Sequence, residues 1–333
     1  MMNLKKAVKR AGLLTSIAAL GSVGLVAQTQ AEIYARSYLD VSNFTITTQP
    51  PVNNPVPGTF TFTLNTSSVL NSVTGTPGFD TCTDNGCISN PVIDAPKSSV
   101  GADPSGNNDF GFYGPGANSN EFSRADAVVT SAQLSTGNPS ASEQIAEAQL
   151  VNGTNALGNA GLDSVTRLSF SFNAGSNTTL ALNFDAVVDQ LVEINDPSAN
   201  SAASQSFVTT SFTLSRDNQL DTLSWNPNSD LIDSFGACAD STSVGTLSCV
   251  STAAAANLNK TIGVTTRPFS SEDNSGSGNF NGLFLIASEG AYTLTLSTTT
   301  RVAMNRIPEP ASLLLLGSGL MGLGFARRRK AAV

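Results

Sequence analysis

The chain of 333 residues contains no histidine. That absence excludes a Ser-His-Asp or Cys-His nucleophile, a His-ligated zinc and an imidazole general base near neutral pH. Charge is sparse, at 13% of residues, and there is a single tryptophan. Long uncharged apolar runs occur only at the two ends. The chemistry left to the chain is that of carboxylates, hydroxyls, tyrosines and oxygen-ligated metals.

At the N-terminus, Lys5, Lys6, Lys9 and Arg10 precede an uncharged run from Ala11 to Ala27, and Thr29-Gln30-Ala31 places small residues at the −3 and −1 positions. This three-part order predicts a secretory signal peptide over residues 1–31, cleaved after Ala31 by signal peptidase. Thr15, Ser16, Gly21, Ser22 and Gly24 dilute the run, which argues against a permanent membrane anchor.

At the other end Pro308, Glu309 and Pro310 precede an uncharged run from Ala311 to Phe325, and Arg327, Arg328, Arg329 and Lys330 follow. Residues 307–330 resemble the PEP-CTERM sorting signal of Gram-negative bacteria, which the membrane protease exosortase reads. The resemblance implies delivery to the cell envelope or beyond, in organisms that make exopolysaccharide, and no particular activity. A helix over about 311–326 rises only about 22 Å against about 30 Å of hydrocarbon, a thin and transient anchor whose arginines must snorkel. The basic tail orients the preceding domain into the periplasm, and the prolines keep the region around Glu309 extended, as proteases require.

Residues 32–306, the predicted secreted domain, hold 9 Lys+Arg against 24 Asp+Glu, a net charge of −15. No basic footprint exists for nucleic acid. Calcium, cationic polymers or simple solubility suit such a balance. Cys82 with Cys87, and Cys238 with Cys249, form two close pairs that read as local disulfides in an oxidising compartment, worth roughly 2 and 3 kcal/mol by loop length. Crossed pairing, such as Cys82 with Cys238, stays open on sequence grounds, and neither spacing is the C-x-x-C of a zinc site.

The interior alternates polar and apolar residues in short runs punctuated by Gly, Pro, Asn and Ser. Strands are expected at Thr59–Asn65, Ser164–Asn173, Thr178–Ile194 (bent or bulged), Gln205–Ser215, Gly282–Ala287 and Ala291–Thr300. Leu180, Leu182 and Phe184 share one face, and Gly175-Ser176-Asn177 suggests a hairpin between the second and third strands. Ala141–Leu150 reads equally as helix or strand, and Ala253–Leu258 as one or two helical turns. Residues 85–120 and 269–279 read as loops, the first either mobile or a binding loop with hidden strands. The fold class expected is all-β, an antiparallel β-sandwich of jelly-roll-like form with long loops.

Three oxygen-rich sets, namely Asp80, Asp84 and Asn85, then Asp103, Asn107, Asn108 and Asp109, then Glu272, Asp273 and Asn274, have ligand types calcium accepts. Asp and Asn also favour turns without metal, so no cofactor is required. Asp185 and Glu193, on one face of an extended strand, lie about 26 Å apart, too far for joint glycosidase chemistry, and no catalytic residue is nominated. Phe110, Phe112, Tyr113 and Trp225 have the ring chemistry to stack on sugars, although such rings commonly pack inside. The leading functional reading is a non-enzymatic envelope or extracellular-matrix protein associated with exopolysaccharide or biofilm. A calcium-assisted carbohydrate-binding or adhesive module and a carboxylate-based secreted hydrolase are the alternatives. The same C-terminal signal is also associated with ice-binding proteins, but no Thr-x-Thr array of fixed repeat is present in the sequence.

Overall fold

The computed structural model describes residues 32–49, 58–103, 105–116, 120–130, 134, 137–151, 158–195, 202–217, 222–227, 238–240, 247–251, 256–265 and 270–306, without side chains at 158, 238–240 and 247–251. Residues 1–31 with the expected signal peptide, residues 307–333 with the sorting residues and their predicted helix, and residues 253–255 lie outside these; residues 256–258, the described half of the expected helical turns, are not helical. Among the described residues no helix is long and apolar enough to cross a membrane.

The strands are β1 (Glu32–Gln49), β2 (Gly58–Leu70), β3 (Val73–Thr74), β4 (Gly78–Thr83), β5 (Ile93–Gly101), β6 (Phe122–Val129), β7 (Ser140–Val151), β8 (Gly158–Ala174) and β9 (Thr178–Asn195). They continue with β10 (Ala202–Arg216), β11 (Thr222–Trp225), β12 (Cys238–Asp240), β13 (Leu247–Ser251), β14 (Lys260–Thr265), β15 (Ser270–Ile286) and β16 (Gly290–Arg306), and one short helix, α1 (Asn85–Ser89), follows β4. They form two antiparallel sheets packed as a sandwich. The smaller, of seven strands, runs β13-β15-β9-β1-β7-β6-β5. The larger, of nine, runs β12-β11-β10-β16-β8-β2-β3, with β14 beside β10 and β4 beside β2.

Strands β10, β11 and β12 stay in the larger sheet as antiparallel neighbours, whereas from β7 to β10 the chain crosses from one layer to the other at each connection rather than building hairpins. This corrects the hairpin expected at 175–177: β8 pairs with β2 and β16, whereas β9 pairs with β1 and β15. Both strands carry large apolar side chains on their dry faces, Phe170 and Phe172 on one and Leu180, Leu182 and Phe184 on the other. Folding the chain as an arch sets those faces against each other across the core. The turn is made by Asn177 in the left-handed region, φ 60°, and by Thr178 Oγ1 donating to Gly175 O at 2.8 Å.

Three further expectations change. Residues 270–279 belong to β15 and pair with β9 along their length, because small Ser and Gly side chains fit a ladder that the turn-rich composition hid. Ala141–Leu150 is strand, inside β7. The irregularity expected in Thr178–Ile194 sits in its neighbour: β9 is continuous, while the register of β1 shifts around Asn43, φ 54°.

Two apolar clusters fill the sandwich. The larger contains Phe44, Phe60, Phe170, Phe184, Phe212, Trp225 and Phe284, the smaller Ile33, Ala35, Leu150, Leu162, Val192 and Ile194. Small hydroxyl residues lie between them. Ser37 Oγ donates to Phe207 O (2.7 Å), Ser204 Oγ to Tyr34 O (3.0 Å) and Ser206 Oγ to Arg36 O (2.7 Å), so β1 and β10 are stitched across the layers by side chain to main chain bonds. Large side chains there would force the layers apart; Ser both fits and satisfies its own hydroxyl.

Candidate functional site

Three parts of the surface bear on function: the two outward sheet faces and the end where the chain enters and leaves. Across the smaller sheet, the outward positions of β1, β6 and β7 bring together Tyr34, Arg124 and Glu147. Arg124 and Glu147 are wholly buried, although they point away from the apolar core, because residues 102–116 lie over them as a strap. Arg124 donates to Glu147 Oε2 through Nε (2.9 Å) and Nη2 (2.5 Å), to Asp109 O through Nη1 (2.8 Å) and to Gly111 O. Glu147 Oε1 accepts from the Tyr34 hydroxyl (2.5 Å) and from the N–H groups of Tyr113 (3.0 Å) and Gly114 (3.3 Å). Burial beside the Glu147 carboxylate raises the Tyr34 hydroxyl far above its ordinary range, so it stays a donor.

This resolves the ambiguity over residues 85–120, whose described residues form α1, β5 and a structured strap. The candidate calcium set within it is already occupied. Asp103 pairs with Lys97 Nζ at 2.7 Å, the Asn107 and Asn108 amides both donate to Asp94 Oδ2 (2.7 and 3.0 Å), and Asp109 Oδ1 accepts from Gly111 N (3.1 Å). The Lys97 and Ser105 donors outweigh burial and hold the Asp103 carboxyl below its usual range. The other sets do not converge either. Asp80 Oδ2 caps Asp94 N (3.0 Å) and Asp84 Oδ1 caps Phe60 N (2.7 Å), while Asn85 opens α1. Glu272, Asp273 and Asn274 alternate across a strand; Glu272 accepts from Gly263 N and Asn274 donates to Gln190. Among the described residues no group of three His, Cys, Asp or Glu is placed to hold a metal ion.

The nominated aromatics serve packing. Phe112 sits under the Arg36 guanidinium (4.2 Å) and edge-on to Tyr38 (5.5 Å), and Tyr113 lies under Arg124 (4.5 Å) and against Phe122. Phe110 is half-buried in the same strap. Trp225 is 1% exposed and stacks on Phe212 at 4.8 Å. Asp185 and Glu193 do share the outward face of unbroken β9. Asn279 and Asn43 amides donate to Asp185 and hold its pKa below the ordinary value. Cys82 and Cys87 are joined, Sγ of β4 to Sγ of α1, so the crossed pairing of Cys82 with Cys238 is ruled out. Cys238 and Cys249 lie on β12 and β13, and their side chains are outside the description.

The outward face of the larger sheet is different. Thr83, Thr61, Ser169, Thr295, Thr213 and Ser224 stand side by side across β4, β2, β8, β16, β10 and β11. Neighbouring rows repeat the chemistry, with Thr59, Ser171, Thr293 and Ser215 on one side and Thr63, Ser297 and Ser211 on the other. Strands about 4.8 Å apart and residues about 6.7 Å apart along each strand make this a regular hydroxyl lattice. Its period is set by register between distant strands, which explains why no repeat is seen along the sequence. Ser171 Oγ, Thr293 Oγ1 and Asp217 Oδ1 are hydrogen-bonded in series at 3.0 and 3.2 Å, beside a polar recess lined by Thr59, Ser171, Asn173 and Asp217. Phe79, on β4 of this face, is 60% exposed and is the exposed aromatic among the described residues. Sequence reasoning missed it because its run, Gly78–Thr83, lay between loop signals; outward parity with Thr81 and Thr83 was the available clue.

At one end of the sandwich Glu32 of β1 pairs with Val151, and Arg306 of β16 donates to Val151 O at 3.5 Å. Residues 32 and 306 therefore sit at the same end, and both belong to strands flanked on each side by neighbours.

Residues 306–330 match the PEP-CTERM protein-sorting motif, which takes up directly where β16 ends. No curated protein and no solved structure matches the chain. The match includes Pro308, Glu309 and Pro310 and the basic residues Arg327, Arg328, Arg329 and Lys330. It implies export and a membrane-transient route to the surface, and it covers only the C-terminal residues of the chain.

Proposed function

We propose that the chain is a non-enzymatic β-sandwich of the cell envelope or extracellular matrix, processed by signal peptidase after Ala31 and by exosortase near Pro308–Pro310, and associated in its mature form with exopolysaccharide. The observation that carries this reading is the placement of residues 32 and 306 at one end of the sandwich. Two hydrophobic segments leaving a domain at one end can sit in one membrane together, with the whole sandwich on the periplasmic side. The broad hydroxyl face supports a polyhydroxylated partner, since each Ser or Thr supplies a donor and two acceptor positions.

The test uses the native host. Mass spectrometry of surface-recovered protein should find a new N-terminus at Glu32 and the Arg327–Val333 tail removed, with inner-membrane retention when exosortase is disrupted. An intact tail on surface protein would sink the processing claim. Co-sedimentation with the host's exopolysaccharide, with calcium present or removed, should show retention without new reducing ends. New reducing ends would restore the hydrolase reading.

A further inference from the structure

We infer that the outward face of the larger sheet binds a carboxylate-bearing polysaccharide, with Arg167 taking the acidic group and Phe79 a sugar ring; this deepens the exopolysaccharide reading and rests on it. The argument is one of charge placement. Over residues 32–306 acid outnumbers base by 15, and most of that surface repels a polyanion. The cations of the smaller sheet are consumed: Arg36 by Asp189 (2.9 Å), Lys97 by Asp103 (2.7 Å) and Arg124 by Glu147 (2.5 Å). On the larger sheet Arg301 meets Asp163 at 3.3 Å with both side chains about half exposed, a pair that water screens heavily.

Arg167 has no ion-pair partner among the described residues. It projects from the exposed side of β8 between Thr63 and Ser297, in the middle of the hydroxyl lattice. A guanidinium binds a carboxylate through two parallel N–H donors, and the flanking hydroxyls can meet the sugar hydroxyls on either side. Phe79 stands two strands across and one row along, about 12 Å away by strand geometry, a span that a short oligosaccharide covers. An exposed, rigid ring at that position supplies the apolar platform that sugar faces stack on.

The test takes the exported protein recovered from its host, and measures affinity electrophoresis and co-sedimentation on polygalacturonate, on neutral dextran and on the host exopolysaccharide. Polygalacturonate should retard the protein, dextran should not, and added salt should weaken retention. Arg167→Ala should lower retention roughly tenfold or more, the usual scale for a charged hydrogen-bond partner, and Phe79→Ala should lower it severalfold. Asp273→Asn, on the outward side of the other sheet, should change nothing. Both replaced side chains on the binding face are exposed, and circular dichroism confirms that each variant is folded. Undiminished retention by Arg167→Ala, retention by dextran alone, or inhibition of ice growth without polymer retention would overturn the inference. Host exopolysaccharide held equally by parent and Arg167→Ala would overturn this face while leaving the matrix function standing; failure to hold that polymer at all removes the matrix reading itself.

Discussion

Replacing Arg124 by Met tests the account of the strap most directly. The native guanidinium is wholly buried and makes bonds to Glu147 Oε2 and to the strap carbonyls of Asp109 and Gly111. Met fills similar volume but supplies none of those donors. Glu147 then keeps the Tyr34 hydroxyl and two strap N–H groups, yet remains a buried carboxylate without a counter-charge. Removing one partner of a buried pair costs about 3–5 kcal/mol, out of a total of about 5–15 kcal/mol for a folded domain. At about 2–4 °C per kcal/mol for a domain near this size, the melting temperature should fall by about 6–20 °C. Urea unfolding should give the free energy, and limited proteolysis under native conditions should reveal new cleavage within residues 102–116, because two of the strap's main-chain anchors are gone. Arg124→Met combined with Glu147→Met should recover part of the loss, since no orphan charge remains; the strap cleavage should persist. A single Arg124→Met variant within about 1 kcal/mol of the parent would refute the reasoning.

Burial raises the Asp126 carboxyl from its ordinary 3.8 to about 6, against the opposing pull of the Asn108 and Ala127 N–H groups. The folded protein then binds the proton more tightly than the unfolded chain, so this group adds stability as pH falls from about 6 to about 4 and withdraws it as pH rises; urea midpoints of Asp126→Asn across that window should lack this component. Gly282 lies against the only tryptophan of the chain, where an added Cβ would stand 2.4 Å from the Trp225 ring. Gly282→Ala should cost about 1–3 kcal/mol by overpacking and shift tryptophan fluorescence, and an unchanged spectrum with unchanged stability would contradict it. Opening the Cys82–Cys87 loop by Cys82→Ser with Cys87→Ser should cost about 2 kcal/mol on the chain-entropy account, read as a lower urea midpoint.

The parts of the fold legible in the sequence are those where alternation alone fixes a strand. Phe60, Phe62 and Leu64, or Leu294 and Leu296, are buried at every second position, and period-2 patterning needs no knowledge of a partner. Strand β1 was missed although it is central. Its dry positions include Ala35 and Ser37, and its outward side carries Tyr34, Arg36 and Tyr38, so the usual contrast between faces is weak; only the strap and the neighbouring β10 give those residues their burial. The same holds for Ser270–Asn279, which is strand by virtue of β9. The arch at Gly175-Ser176-Asn177 failed as a hairpin for a related reason, since turn residues specify a reversal of the chain and not which sheet receives it. The disulfide of Cys82 with Cys87 was readable because short-range closure is local. Arg167 and Phe79 were not, because their shared face exists only once β4, β2 and β8 are in register.

The two outward faces divide their labour according to what covers them. On the smaller sheet a buried cation and a buried carboxylate are tolerable only because the strap supplies carbonyls and N–H groups to both; over β1, β6 and β7 the face is closed by its own chain, while the outward side of β9 and β15 stays open. On the larger sheet the outward residues are mostly hydroxyls, which neither demand a cover nor resist one, as water satisfies them until a ligand does. That face runs along the strands, and the strands begin and end where the chain's two hydrophobic segments depart. On the transit proposed above, with residues 311–326 in the membrane, residues 307–310 could bridge at most about 14 Å, which would hold the end with Glu32 and Arg306 close to the membrane. Strand β16, at 17 residues, carries the hydroxyl face roughly 55 Å outward from that end. A domain held in this way would offer its open face side-on to whatever lies beyond the membrane, and would keep the same face available once the sorting motif is removed.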